Sequence, residues 1–336
     1  MKGLALEGAA SEQAAAGRRT PRQVLEAGLT LRRGRRVRVV ALERRSLEAR
    51  STHPIERLNV RLDSGERLRL VFKRLRRGST AKGNRREVLI YRRLLERRGF
   101  GAPTVYASIY DHRLGDYWLF LEDLGERTLE EGDRDEWLAA VRWLAEMHGI
   151  WWGRTSELRA LGCLEDHGPH YYWRIARTAR RHLAQAGHRE AVRWFDGLMR
   201  RFDSVVADLM RQPRTLVHGD VFPHNVLLQP GPSVRPIDWE SAAVGLAAWD
   251  LARLLDGWGK DKPTFRAAYF CELARQFSAP CDSRSFERTF AHCEVLVILC
   301  HLAWDERACR AEGFVLDHLQ ALEAAWQHLD RGGEIA

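Results

Sequence analysis

Three oxygen-bearing side chains lie close together in the segment 216–240, which is otherwise largely apolar. Asn225 follows Asp220 by five residues, and Asp238 lies in a second apolar stretch. Carboxylate and amide oxygens are hard ligands of the kind that Mg²⁺ prefers, and this ion completes its shell with water and phosphate oxygens. An aspartate that does not bind the metal can accept the proton of an attacking hydroxyl group. The pattern therefore indicates metal-assisted phosphate chemistry.

Short strands must position these side chains. Three are predicted, at 215–217, 225–228 and 234–238. A turn at 231–233 joins the second strand to the third. We therefore expect the loop after the first strand to bring Asp220 and Asn225 together, and the third strand to place Asp238 beside Asn225. The alternative, a polar hairpin between two strands, leaves these polar groups among apolar residues unexplained.

The segment resembles the catalytic loop and metal-binding aspartate of the protein-kinase-like superfamily, and in particular the aminoglycoside phosphotransferase and choline kinase family. That family has H-G-D-x-x-x-x-N, followed by I-D-[FW]-E. Here the first motif runs from His218 to Asn225, and the second is 237–240. The resemblance implies that Asp220 is the catalytic residue, that Asn225 and Asp238 bind Mg²⁺, and that His218 supports the loop.

Lys73 is unusual because almost all basic residues of this chain are arginines. It lies in a predicted strand, 67–75, and a compact ammonium differs chemically from a guanidinium. The resemblance implies that Lys73 holds the α- and β-phosphates of a nucleotide, and that Glu87 in the predicted helix 85–98 pairs with it. A buried lysine needs such a partner. The alternative for Glu87 is a favourable acid at a helix N-terminus.

The loop between the first two predicted strands gives a weaker indication of phosphate binding. No glycine-rich loop separates the first two predicted strands, 37–42 and 56–63, and the family often uses hydroxyls and backbone amides there instead. The resemblance therefore implies that Ser51 and Thr52 contact the nucleotide. An ordinary polar hairpin loop is the alternative.

The predicted strand 117–122 resembles the family's hinge, whose backbone receives the adenine. Carried over by position, the resemblance implies that backbone groups of Leu121 and Asp123 bond the base and that Phe120 lies behind it. A further strand is predicted at 104–110.

Helices dominate after Gly125. The predicted helices are 133–148, 175–187, 189–210, one beginning near 245, and others to about 330. The resemblance implies that Asp250 braces the catalytic loop through its backbone amides, and a helix cap is the alternative. The aromatic clusters at 151–152 and 171–173 are interpreted as core packing, with a substrate platform as the alternative.

The resemblance implies an α+β fold of the bilobal protein-kinase-like type, with an antiparallel-sheet N-lobe containing one main helix and a mostly helical C-lobe. We expect a nucleotide-binding lobe at 1–123, with 1–20 loosely ordered. A helical lobe at 124–336 would carry the catalytic loop and the substrate site.

Composition limits the other possibilities. The chain has 336 residues, 45% hydrophobic and 29% charged, as in ordinary soluble proteins. No apolar run approaches the ~20 residues of a membrane helix, and the first residues lack the apolar core of a secretory signal. We therefore expect a cytoplasmic protein. Cys293 and Cys300, with His292 and His301, are an alternative metal site, but their spacing is that of one helix face.

The net charge of +9 raises the alternative of a nucleic-acid binder, but the arginines are spread along the chain and no nucleic-acid motif accompanies them. The sequence therefore predicts an enzyme that uses ATP, or another nucleoside triphosphate, and Mg²⁺ to phosphorylate a hydroxyl group of a small molecule. Alternatives are a non-catalytic nucleotide-binding protein and a protein kinase, although A-P-E and D-F-G motifs are absent. Relatives use antibiotics, choline, thiamine, homoserine and sugars, so the substrate stays open.

Overall fold

The structure is a computed structural model that describes residues 19–47, 53–75, 81–96, 100–111, 113–231, 233–259, 261–276 and 283–330. The chain divides into two units, one drawn from Met1–Val88 and Pro103–Asp123 and the other from Leu89–Ala102 and Leu124–Ala336. The roles predicted for two lobes, nucleotide binding and substrate binding, stay predictions.

An antiparallel sheet forms the first unit, with the strand order β1-β2-β3-β5-β4. Its strands are β1 (Val39–Ser46), β2 (Ile55–Leu62), β3 (Arg67–Leu75), β4 (Val105–Asp111) and β5 (Asp116–Glu122). All five were predicted, but β1 continues four residues beyond its predicted end. Three of the four extra residues are charged, and all four pair with β2, where Arg44 forms an ion pair with Glu56 at 2.6 Å. Cross-strand pairing therefore extends the strand beyond its apolar part.

Helix α1 (Pro21–Arg33) packs on one face of this sheet. Thr20 and Gln23 form a capping box at its start. Its apolar residues Leu25 and Leu29 are fully buried, and the helix packs mainly against β4. They share one hydrophobic core with residues of β3 and β5, and because successive side chains of a strand point to opposite faces, the strand residues in this core alternate with residues outside it.

Helix α2 (Ala81–Ile90) and a π-helical turn (Tyr91–Leu95) carry the chain from the first unit into the second. The helix begins four residues before its predicted start. Glu87 therefore lies in the second turn of the helix, and not in the first as the sequence predicted.

Helices build most of the second unit. They are α3 (Arg134–Trp151), α4 (Thr155–Ala160), α5 (Pro169–Gln185), α6 (Arg189–Met199), α7 (Phe202–Met210), α8 (Ala247–Leu254), α9 (Lys262–Arg275), α10 (Ser283–Trp304) and α11 (Glu312–Asp330). A three-stranded sheet and a hairpin accompany them. Their strands are β6 (Glu165–Asp166), β7 (Thr215–Val217), β8 (Val226–Gln229), β9 (Ser233–Pro236) and β10 (Ala243–Gly245). Together with the five-stranded sheet, these helices confirm the predicted α+β class.

One predicted helix, 189–210, is two helices in the structure. The break between α6 and α7 turns Phe202 into the core, where it is fully buried and meets the edge of Trp173 at 4.9 Å between ring centroids. Tyr172 is also fully buried. Core packing therefore accounts for these aromatic residues of the 171–173 cluster.

No helix within the described part of the chain is long and apolar enough to cross a membrane. The described residues also place no metal-binding group around Cys293 and Cys300. Both thiols are free, and burial raises the pKa of Cys293.

Acid should destabilise the second unit through His292 on α10. Burial lowers the pKa of His292 to about 4, from its usual 6.5. The unfolded chain therefore binds a proton between these values that the folded chain does not, so the free energy of unfolding falls as pH falls through this window. We expect a loss of about 2–3 kcal/mol between pH 7 and pH 4.5 that His292→Leu removes.

Urea unfolding at the two pH values measures this loss. His170→Leu, which changes an exposed histidine, should leave the pH difference as it is in the unaltered protein. An equal pH difference in His292→Leu and in the unaltered protein would contradict the assignment.

Candidate active site

The catalytic loop leaves β7 at His218 and ends in a 3₁₀ turn, Pro223–Asn225. Asn225 was predicted to begin a strand, but it closes this turn, because Pro223 starts the turn and β8 begins one residue later. The turn directs the Asn225 amide back toward Asp220, where Nδ2 donates to the main-chain oxygen at 2.8 Å and to Oδ2 at 3.2 Å. The loop therefore brings Asp220 and Asn225 together as predicted. Asn225 Oδ1 is left as an acceptor.

Asp238, predicted as the last residue of a strand, lies beyond the end of the strand that the structure shows. β9 ends at Pro236, and the last main-chain bond of the pairing runs from Ile237 N to Asn225 O at 2.8 Å. Asp238 then adopts φ +61° and ψ +60°. This left-handed conformation costs a non-glycine residue about 1–2 kcal/mol, and such strain is concentrated at functional sites. The strand prediction was too long because the chain leaves the extended conformation at Asp238. The placement of the Asp238 side chain beside Asn225 stays a prediction.

His218 connects the two segments that carry these side chains. Its ring is fully buried, Nε2 donates to Ile237 O at 2.9 Å, and Nδ1 accepts from Asp220 N at 3.3 Å. These bonds require a neutral ring with its proton on Nε2. Burial lowers the pKa of His218, which favours this neutral form. His218 thus holds the loop against the Asp238 segment, which agrees with the supporting role that the resemblance implied.

Asp250 on α8 accepts hydrogen bonds from the loop backbone. Its carboxylate oxygens accept hydrogen bonds from His218 N at 2.6 Å and from Gly219 N at 2.9 Å, and the side chain is fully buried. The structure thus shows the backbone contacts that the resemblance implied for Asp250. Since the bonds go to the loop and not to its own helix, the alternative of a helix cap is wrong.

His148 completes the environment of Asp250. Its Nε2 lies 3.3 Å from Asp250 Oδ2, and its Nδ1 lies 2.6 Å from the hydroxyl of Tyr269. Burial raises the pKa of Asp250, but the bond from His148 and the nearby donors outweigh burial, so the pKa lies below its usual value. The sequence analysis assigned no role to His148 or Tyr269. The available signal was a histidine among the apolar residues of α3.

Arg253 is a second residue that the sequence analysis missed. Its Nη2 donates to Asp220 Oδ1 at 2.8 Å, and the residue is 8% exposed. Its guanidinium carbon lies 4.5 Å from the ring centroid of Phe222 and 5.1 Å from that of Trp249. All residues of α8 are buried. An arginine in such an apolar helix needs a partner, which is the signal that could have identified it.

In the first unit, Lys73 and Glu87 form a buried ion pair. Lys73 Nζ lies 2.9 Å from Glu87 Oε1, and the two residues are 5% and 0% exposed. The pairing that the sequence predicted is therefore present. The phosphate-binding role of Lys73 stays a prediction.

Phe120 does not occupy its predicted position behind the base. It pairs with Phe72 across the strands, while Lys73 pairs with Leu119. Phe120 therefore lies on the sheet face opposite to Lys73, where its ring is fully buried under α1 and stacks on Phe72 at 4.6 Å. The prediction was wrong because it followed the order of residues along the strand and not the face on which each side chain lies.

The other predicted hinge residues are held within the sheet. Leu121 pairs with Val71. Asp123 donates its N–H to Arg69 O at 3.3 Å, and its carboxylate accepts from Arg57 Nη2 at 3.3 Å and from Arg69 Nη2 at 3.0 Å. The amide of Asp123 must therefore leave Arg69 before it can bond a base. Ser51 and Thr52, the predicted phosphate-loop residues, lie outside the described residues.

Gly219 tests the packing of the loop. It has φ +81°, and a Cβ there would collide with the main-chain oxygen of Ser241. Gly231 has φ +82°, with no described atom within 4 Å of such a Cβ. Gly231→Ala should therefore cost only the left-handed conformation, about 1–2 kcal/mol. Gly219→Ala should cost about 1–3 kcal/mol more. Urea unfolding compares the two variants, and equal costs would show that the loop is not packed against Ser241.

Asp250→Asn tests the buried carboxylate. The variant side chain keeps one oxygen acceptor, but an NH₂ group replaces the other oxygen. This NH₂ group would face one of the N–H donors that bond the carboxylate in the unaltered protein. We expect a loss of about 3–5 kcal/mol in the free energy of unfolding. Asp196→Asn is the matched control, because Asp196 pairs with Arg180 at 2.6 Å on the surface, and should cost under about 1 kcal/mol. Similar losses in both variants would contradict the bracing role of Asp250.

Solved structures with the same fold include several small-molecule kinases. A GDP complex of aminoglycoside 2'-phosphotransferase-IIIa is 16% identical, with a TM-score of 0.56 over 92% of this chain and 99% of that chain. Ethanolamine kinase from Plasmodium vivax is 15% identical, with a TM-score of 0.55 over 85% and 81%. Choline kinase from Streptococcus pneumoniae is 15% identical, with a TM-score of 0.53 over 85% and 94%. At these identities the likeness shows a shared protein-kinase-like fold.

Sequence comparison identifies the family. A search of curated proteins gave no significant match. A profile of the phosphotransferase enzyme family matches residues 52–274, which include the ion pair of β3 and α2, the catalytic loop and α8. The match covers more than half of the chain. The chain therefore belongs to the phosphotransferase enzyme family, as its resemblance to the aminoglycoside phosphotransferases and choline kinases implied.

Proposed function

We propose that this protein transfers the γ-phosphate of ATP, or of another nucleoside triphosphate, to a hydroxyl group of a small molecule, in a Mg²⁺-dependent reaction. One observation carries the proposal. The Asn225 amide group donates both of its bonds to Asp220, which leaves Oδ1 as an acceptor next to the segment that carries Asp238. In this proposal, these hydrogen bonds distinguish the base, Asp220, from the two metal ligands, Asn225 and Asp238.

Asn225 and Asp238 fit a magnesium ion. They offer an amide oxygen and a carboxylate, which are hard ligands, and few enough to leave positions for water and phosphate oxygens. A magnesium ion held by these residues would neutralise negative charge on the phosphates.

The remaining residues position the reactants. Asp220 would orient the hydroxyl group of the acceptor and take its proton. Lys73, paired with Glu87, would hold the α- and β-phosphates. The bonds of His218 and Asp250 keep the loop in place. Most of the rate enhancement would come from this positioning and from charge neutralisation.

A small acceptor fits this chain better than a protein acceptor. Only a 3₁₀ turn, Trp239–Ser241, and β10 lie between Asp238 and the start of α8. This short connection leaves no room for the activation loop that protein kinases use. Ethanolamine, choline and aminoglycosides are the acceptors named for similar structures, and three of those structures contain GDP. Both ATP and GTP are therefore donors to test. The cytoplasmic location stays a prediction.

The test is phosphate transfer from Mg²⁺–ATP and Mg²⁺–GTP over a panel of these acceptors and other hydroxylated antibiotics and metabolites. Asp220→Ala and Asp238→Ala should each lower kcat by about 10²-fold or more, since they remove the base and a metal ligand. Asp196→Ala, a surface change, is the control and should leave kcat unchanged. Full activity in either active-site variant would contradict the mechanism. Nucleotide binding without transfer to any acceptor would favour the non-catalytic alternative.

A further inference from the structure

We propose that Arg253 is a positioning residue, which holds the Asp220 carboxylate in the orientation that phosphate transfer needs. The inference rests on the proposed function. Arg253 Nη2 donates to Asp220 Oδ1 at 2.8 Å. The Arg253 side chain is 9% exposed and the Asp220 side chain 30% exposed. The pair therefore faces solvent through the carboxylate, so Arg253 contacts the reacting atoms only through Asp220.

The guanidinium group is itself held in place. Its carbon lies 4.5 Å from the Phe222 ring centroid and 5.1 Å from the Trp249 ring centroid, and its Nη1 is 3.9 Å from Cys300 Sγ. Phe222 is two residues after Asp220, so the catalytic loop supplies one of the rings that contact Arg253. Aromatic faces attract a guanidinium and limit its rotation. The Nη2 donor is therefore fixed relative to the loop that carries Asp220.

Two donors on different oxygens fix the plane of the Asp220 carboxylate. Arg253 bonds Oδ1, and Asn225 Nδ2 bonds Oδ2 at 3.2 Å. Rotation about the bond to the carboxylate would break both contacts. Without Arg253, the bond from Asn225 Nδ2, which is 3.2 Å long, leaves only a weak restraint on the carboxylate. A base that is misaligned loses much of its effect.

A purely structural role is the competing explanation, because removing one partner of a buried ion pair destabilises the fold whether or not the pair acts in catalysis. The two explanations differ in one respect. If Arg253 acts through Asp220, its substitution must lower kcat only slightly once Asp220 can no longer act as a base. If Arg253 only stabilises α8, its substitution must lower kcat by the same factor in the unaltered protein and in a variant that lacks the Asp220 base.

The experiment uses the full chain and measures labelled phosphate released or transferred from Mg²⁺–ATP and Mg²⁺–GTP, with water or a panel acceptor. Arg253→Lys keeps the charge but loses the planar fork of donors. We expect kcat to fall roughly 10- to 100-fold, with the nucleotide KM within about 3-fold. In an Asp220→Asn background the same change should lower the residual rate less than about 3-fold. Arg180→Lys, which alters the surface pair with Asp196, is the matched control and should change neither constant.

A second variant, Phe222→Leu, tests the positioning role if a Tm measurement shows that Arg253→Lys does not fold. It removes a ring that contacts the guanidinium, so kcat should fall as it does in Arg253→Lys. In the Asp220→Asn background this fall should again be much smaller. An unchanged kcat, or equal factors in both backgrounds, would overturn the positioning role while Asp220→Asn still supports the proposed function. Turnover of neither nucleotide by the unaltered protein would overturn the proposed function and this inference together.

Discussion

The buried carboxylate of Asp250 is the constraint on which the site depends. A carboxylate removed from water is costly unless donors surround it, and here the donors are the amides of His218 and Gly219 together with His148. Two consecutive amides can point at one side chain only if the chain turns sharply. Gly219 makes that turn with φ +81° and passes against Ser241. The residue type at 219 therefore follows from the burial of Asp250.

The same bonds determine where the reactive oxygens lie. Once the backbone at His218 is anchored, its neutral ring reaches Ile237 O, and Ile237 N in turn reaches Asn225 O. These contacts connect the loop that carries Asp220 with the segment that carries Asp238. Neutrality of the ring matters, because a charged imidazole would have no acceptor to offer to the Asp220 amide. Hence burial of His218 helps to fix both carboxylates.

Sequence alone was sufficient for groups that lie in one short motif. Asp220, Asn225 and His218 were found by spacing and resemblance, and the contacts among them follow from local turns. Asp250 was found by resemblance alone, because its contacts with His218 and Gly219 join residues 32 and 31 positions apart. Predictions failed where a side chain's environment comes from distant parts of the chain. Phe120 was assigned without knowledge of the face that α1 covers, and Arg253 meets Asp220 from 33 residues away. Tertiary packing decided both cases, because a buried arginine in an apolar helix indicates that it has a partner but not which residue that partner is.

Helix α8 connects these local and distant contributions. Asp250 and Arg253 are three residues apart, so they lie on one side of the helix. Asp250 holds the backbone of the catalytic loop, and Arg253 holds the side chain that this backbone presents. Because a single rigid element makes both contacts, a shift of α8 would move the loop backbone and the carboxylate together. The packing of α8 against α10 is therefore part of what determines the geometry of Asp220.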